Sequence, residues 1–303
     1  MSVLKILKNR NFIFILAFVL GFLIGDSAGT WIEHLAIPAL AIVMVASLVQ
    51  FPFKNFLNFK SLIKPALYSI LVCYFIFGAV LLLPAKFLIR DSELWIGFII
   101  LACAPPGVAI PPFSRILGGD EKFSIIGMVS GYIAIMAIFP LAGIIFIGSN
   151  FVEPLKLIIL FIEVIIGPMI VSQILIRFKW DRFITRHRGT IVNWGLFLII
   201  FVVIALNRNL FFKDLKILGI ISLISIGSIS GLWLLLNLVL KKLRFKSPVR
   251  KSLVLFGTVK NSPFAAAIAL SLFSEKASVP AAIFSIFVII YLIILSFMAK
   301  KNE

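Results

Sequence analysis

Residues 102–122 read ACAPPGVAIPPFSRILGGDEK, and they interrupt an apolar segment long enough to cross a membrane. Pro105, Pro106, Gly107, Pro111 and Pro112 forbid one continuous helix there, because proline lacks an amide donor and its ring clashes with the preceding turn. Backbone groups freed in this way persist at membrane depth only where protein or a water-filled cavity satisfies them. In secondary transporters, broken helices carry substrate and ion sites near the midplane and come in pairs, one per repeat. The stretch therefore predicts a partner elsewhere in the chain, with Ser114, just past the prolines, among the polar groups of the site.

The partner is FGTVKNSPF, residues 256–264, which places Thr258, Lys260, Asn261 and Ser262 in another interrupted apolar segment. Pro112-Phe113 matches Pro263-Phe264, and Glu121-Lys122-Phe123-Ser124 is echoed by Glu275-Lys276-Ala277-Ser278. The separations are 151 and 154 residues, about half of the 303, so the order of matches indicates a duplicated unit. The halves divide as 1–150 and 151–303.

Composition agrees with a polytopic membrane protein. The chain is 62% hydrophobic and 14% charged with mean hydropathy +1.16, whereas soluble domains have about 45–50% apolar and about 25% charged residues. Hydropathy against the roughly 20 residues needed per span places ten segments, at 11–26, 31–51, 64–85, 93–118, 121–147, 154–177, 190–207, 214–240, 250–273 and 277–299, the fourth and ninth broken. The basic run before the first segment has the charge pattern of a signal peptide, but a small-x-small cleavage site is lacking, so a first spanning helix is expected.

Charge placement gives the topology. With alternate loops assigned to alternate sides, 21 Lys and Arg fall on one side and 7 on the other, leaving Lys260 inside the membrane. The positive-inside rule then predicts cytoplasmic termini in a cell inner (plasma) membrane. Five helices per half force the second repeat to be inverted. The same asymmetry explains the net charge of +17 without a nucleic-acid partner. Cys73 and Cys103 lie in apolar segments and read as small buried hydrophobes, neither a disulfide nor a metal pair. Phe51 to Lys64, where phenylalanines alternate with Lys54, Lys60 and Lys64, suits either an interfacial helix or a plain loop.

The order APPG, LGGD, a small-residue helix, then GTxxN, AAAIAL and the proline-containing PAAIFSIF resembles the bile acid:sodium symporter family. The resemblance implies an all-α membrane protein of ten transmembrane helices in two inverted five-helix repeats. Broken helices 4 and 9 would cross in a core domain (spans 3–5 and 8–10) beside a panel domain (spans 1, 2, 6 and 7). It further implies sodium sites and an organic-anion cavity at the crossing. At positions where the family's sodium-coupled members carry Ser-Asn, Glu and Gln, this chain has Ile110-Pro111, Phe256 and Lys260; only Ser124 and Asn261 match family polar residues. A hard cation wants several oxygen ligands, so the usual sodium sites are not expected.

Three further groups are candidates. Lys260 is an intramembrane lysine, a functional position by default, readable as a fixed charge holding the break, an anion contact or a titrating coupling group. Glu163, followed by Gly167-Pro168, would line the cavity, pair with Lys260 or be bonded locally; Asn193 beside Trp194 is a polar cavity candidate. Glu33 and His34 read as interfacial. HExxH, DDxxD and GxSxG patterns are lacking, which argues against membrane metalloprotease, prenyl-transfer and serine-hydrolase chemistry, and no cofactor or structural metal is implied. A cation/proton antiporter would need aspartates on the fifth span, and Ile125 to Gly148 contains none. The expectation is a secondary carrier for a small organic anion, with membrane lipid around it and a proton or sodium as the coupling ion. The alternatives are a sodium-coupled symporter with altered ligands and a non-transporting ligand sensor.

Overall fold

The fourth apolar segment is two helices, as its prolines require. In the computed structural model, which describes residues 10–28, 30–49, 59–148, 154–208 and 214–300, α4a (Ser92–Cys103) ends before Pro105 and α4b (Ile110–Ile116) begins beyond Gly107. Pro111 and Pro112 belong to the first turn of α4b rather than to the break, where a missing N–H costs nothing because first-turn amides have no partner inside the helix. The ninth segment divides likewise into α9a (Ser247–Thr258) and α9b (Ser262–Leu272), with Thr258 and Ser262 still helical.

The remaining elements are α1 (Arg10–Ala28), a 3-10 turn (Thr30–Leu35) leading into α2 (Ala36–Leu48), α5 (Glu121–Phe146), α7 (Asp181–Leu206), α8 (Leu215–Lys242) and α10 (Glu275–Lys300). Helix α3 is Phe59–Ile70 and Phe77–Leu88 joined by a π-helical stretch, Leu71–Ile76; α6 is Pro154–Phe161 and Gly167–Arg177 joined by another, Ile162–Ile166. The chain is a membrane protein by its helices. Among the described residues, six helices are long and apolar enough to cross a membrane: Leu62–Leu88, Glu121–Phe146, Ile158–Arg177, Asp181–Leu206, Leu215–Lys242 and Glu275–Met298. Most of Phe51 to Lys64 and the boundary at 150/151 lie outside the described residues; from Phe59 the chain is already α3.

Helix starts follow from capping. Asp91, Asp120, Asp214 and Asn261 accept backbone amides at the heads of α4a, α5, α8 and α9b, supplying acceptors for first-turn donors that the helix cannot satisfy itself. Helices α1, α2, α6 and α7 pack on one another, and α3, α4a, α5, α8, α9a, α9b and α10 pack on one another. The two groups meet where α7 touches α9b and α10, and where α2 touches α9b.

Asp91 also pairs with Lys276 at the head of α10. Burial pulls its carboxyl upward, but the Lys276 hydrogen bond and the amides of Leu94 and Glu93 outweigh that and hold it below the usual carboxylate range. A carboxyl depressed by folding contributes stability above its unfolded pKa, and that stability is lost as pH falls through the folded value. Asp91→Asn is therefore expected to lower the melting temperature slightly at neutral pH and to make no difference once both states are protonated. The effect stays below about 1 kcal/mol, since the pair is partly solvated. Melting curves of both proteins against pH check the sign.

Candidate functional site

The two breaks hold each other. The Gly107 amide donates to the Val259 carbonyl at 3.0 Å and the Asn261 amide donates to the Pro105 carbonyl at 2.8 Å, forming an antiparallel bridge between Pro106 and Lys260. Each interruption thus supplies partners for the other's backbone, the condition for non-helical chain in an apolar surrounding. The approach is close enough to select glycine: a Cβ on Gly107 would lie 2.8 Å from Val259 Cγ1, and one on Gly131 of α5 would lie 2.5 Å from the Pro106 ring.

Lys260 is 2% exposed and its ammonium points away from solvent. It donates to the Cys73 carbonyl at 2.8 Å and the Ala102 carbonyl at 3.1 Å, and lies 3.2 Å from Cys73 Sγ. The rings of Tyr74 and Phe77 lie 4.6 and 4.8 Å from it, within cation–π range. Both carbonyls are available for stated reasons. In an α-helix the Ala102 carbonyl would accept from residue 106, which is a proline without an N–H. In α3 the amide of Phe77, the α-helical donor to Cys73, goes instead to Val72 and Tyr74 within the π stretch. Its bonds thus go to α3 and to the last turn of α4a, and not to the carbonyls of the break segments themselves.

The other polar residues of the breaks are bonded in place. Asn261 caps α9b and donates from Nδ2 to the Tyr132 hydroxyl at 2.7 Å; Ser262 accepts from Ser285 of α10 at 2.8 Å; Thr258 donates to the Val254 carbonyl at 2.8 Å. Ser114 pairs with Ser252 of α9a at 2.7 Å, which ties α4b to α9a, and Ser124 donates to the Asp120 carbonyl at 3.0 Å.

A cavity of about 260 Å³ lies between the two helix groups, against both breaks. Gly107, Pro112, Asn261, Ser262 and Ser285 form one wall; Asn193, Val192, Leu196 and Ile200 of α7 and Phe14 of α1 form the facing one. Arg188 lines the same cavity. Sequence reasoning missed it, having placed Arg188 in a loop, because α7 begins at Asp181 rather than at 190. Glu163 stands apart: it lines a different cavity with His34 and Ser271, while the Lys260 amine bonds to carbonyls of α3 and α4a, so of the alternatives open for Glu163 the pairing with Lys260 is not formed. Among the described residues no group of His, Cys, Asp and Glu is arranged to hold a metal ion.

The Lys260 amine is thus engaged by carbonyls and ring faces, and Arg188 lines the cavity, whose described lining residues include no acidic one. Such a cavity suits a small anion with an apolar body. No curated protein matches the chain at a significant level. The sequence profile of the Sodium Bile acid symporter family matches residues 37–214, more than half of the chain, from α2 to the start of α8. The protein, a multi-pass membrane protein of symporter type, belongs to the sodium bile acid symporter family.

Proposed function

We propose that the chain is a secondary carrier moving a small organic monoanion across the cell's inner (plasma) membrane, without the usual sodium sites. The observation that carries the proposal is the cavity at the two breaks, with Arg188 and Asn193 on one wall and Asn261, Ser262 and Ser285 on the other. Its volume of about 260 Å³ falls below the roughly 300–1,000 Å³ of most ligand pockets, which favours anions much smaller than a sterol. In this reading the chain is two inverted five-helix repeats, 1–150 and 151–303, with cytoplasmic termini. The panel is α1, α2, α6 and α7; the core is α3 to α5 and α8 to α10, and it moves against the panel by an elevator or rocking motion.

Lys260 acts as a tethered cation at the crossing. Its ammonium satisfies carbonyls from α3 and α4a, the kind of ligand a bound metal ion would seek, and its charge repels any such ion. The expected result is uptake of small amphipathic monoanions into proteoliposomes that is unchanged when sodium is replaced by choline at constant ionic strength. The family's description favours the second reading, sodium-coupled symport with altered ligands; a steep, saturable sodium dependence would establish it and overturn the first. Anion binding without any uptake would instead identify a ligand sensor on this scaffold.

A further inference from the structure

Glu163 stands midway along the apolar helix α6, where its side chain is exposed, and takes no part in the Arg188 cavity. It stands on the π stretch Ile162–Ile166, where the Gly167 amide reaches back five residues to the Ile162 carbonyl. Pro168 follows and has no N–H for the Val164 carbonyl, so the sequence itself asks for a departure from α-helix there. The carboxyl faces a cavity of about 460 Å³ shared with His34, Ile37, Pro38, Ala41 and Ser271. This second cavity, like the first, lies where the two helix groups meet, between α2, α6 and α9b.

The two cavities lie at opposite ends of α9b. Ser262 at its first residue lines the Arg188 cavity and Ser271 near its last lines the Glu163 cavity, which is about 13 Å along the axis at 1.5 Å per residue. One cavity offers a cation and the other a carboxyl. An anion leaving the first toward the second meets a carboxylate that repels it when ionised and admits it when protonated.

We infer that Glu163 is the binding site of a coupling proton, exchanged with solvent through His34, so that one proton accompanies each monovalent anion. The inference rests on the anion-carrier reading. Its chemistry balances simply: a proton from solvent passes by way of the imidazole to the carboxylate, the neutral acid lets the anion through, and the proton leaves on the other side. The groups facing Glu163 from its packing partners are few. The lead-in to α2 contributes His34; α2 contributes Ile37, Pro38 and Ala41; α9b contributes Ser271. Among the described residues lining that cavity, His34 is the other titratable group, and histidine is the side chain suited to passing protons near neutrality.

The test uses full-length protein in proteoliposomes with radiolabelled p-toluenesulfonate, a small amphipathic anion that stays ionised throughout. Lowering the outside pH from about 7.5 to about 5.5, which imposes an inward proton gradient within the range where proton-passing side chains act, should increase wild-type uptake severalfold. Glu163→Gln should lose both the pH response and the accumulation driven by a pH gradient, and Glu163→Asp should retain both. In parallel, difference infrared spectra should show a protonated-carboxyl band that grows on acidification and is absent in Glu163→Gln. A pH response or a carboxyl band that survives in Glu163→Gln overturns the inference. Failure of every protein to take up p-toluenesulfonate counts against the carrier reading for that anion, while the infrared titration still decides the proton site.

Discussion

Replacing Lys260 by methionine is expected to reduce anion uptake to background and to lower the melting temperature by several degrees. The substitution leaves the Cys73 and Ala102 carbonyls without their donor, and a buried acceptor left unpaired costs about 1–3 kcal/mol. Part of that is offset because the ammonium need no longer be desolvated. The net loss falls on the contact that joins α3, α4a and the second break. Lys260→Arg should not restore uptake, since a planar guanidinium does not fit between two carbonyls and the rings of Tyr74 and Phe77 at 4.6 and 4.8 Å. Lys260→Ala leaves room for n-propylammonium, which should recover part of the melting temperature in a dose-dependent way. Wild-type uptake and melting in Lys260→Met would overturn the assignment of the lysine as a tethered cation.

Arg188→Gln is expected to raise the half-saturating anion concentration about tenfold to a hundredfold, the factor represented by the ~1.5–3 kcal/mol of a hydrogen bond to a charged group. The charge at this cavity is what distinguishes an anion from its neutral amide or ester, so the variant should bind the neutral analogue as the wild type does. Arg188→Lys should recover only part of the affinity, because an ammonium cannot make the paired contacts of a guanidinium with a carboxylate or sulfonate. Binding isotherms for the anion and its neutral analogue in detergent-solubilised protein separate the charge effect from a packing effect. Equal affinities in wild type and Arg188→Gln would remove Arg188 from the site.

The breaks were legible because proline and glycine act through the backbone, where the rule is local: Pro105 and Pro106 end α4a whatever surrounds them. Lys260 was legible for a related reason, since a charge in an apolar run is rare whatever its contacts. Its partners were not. The Cys73 carbonyl accepts because α3 becomes π-helical over LVCYFI, residues 71–76, a stretch without proline or glycine to announce it. Ala102 was within reach, as the residue four before Pro106, had the missing donor been assigned to a particular carbonyl. Arg188 was hidden by its neighbours: Arg182, Arg186 and Arg188 read together as a cytoplasmic loop, while the helix itself runs back to Asp181 without a side-chain cap. Glu163 was found, but a pairing with Lys260 depends on which groups of helices each residue joins, and hydropathy carries no information about that.

The Pro106–Lys260 bridge constrains how the protein can move. Its two hydrogen bonds run from backbone to backbone and in opposite senses, from Gly107 to Val259 and from Asn261 to Pro105. A half-helix that slid along its own axis by even one residue would break both. The two breaks are therefore held in register with each other, and any rearrangement that preserves the bridge must move α4a, α4b, α9a and α9b together.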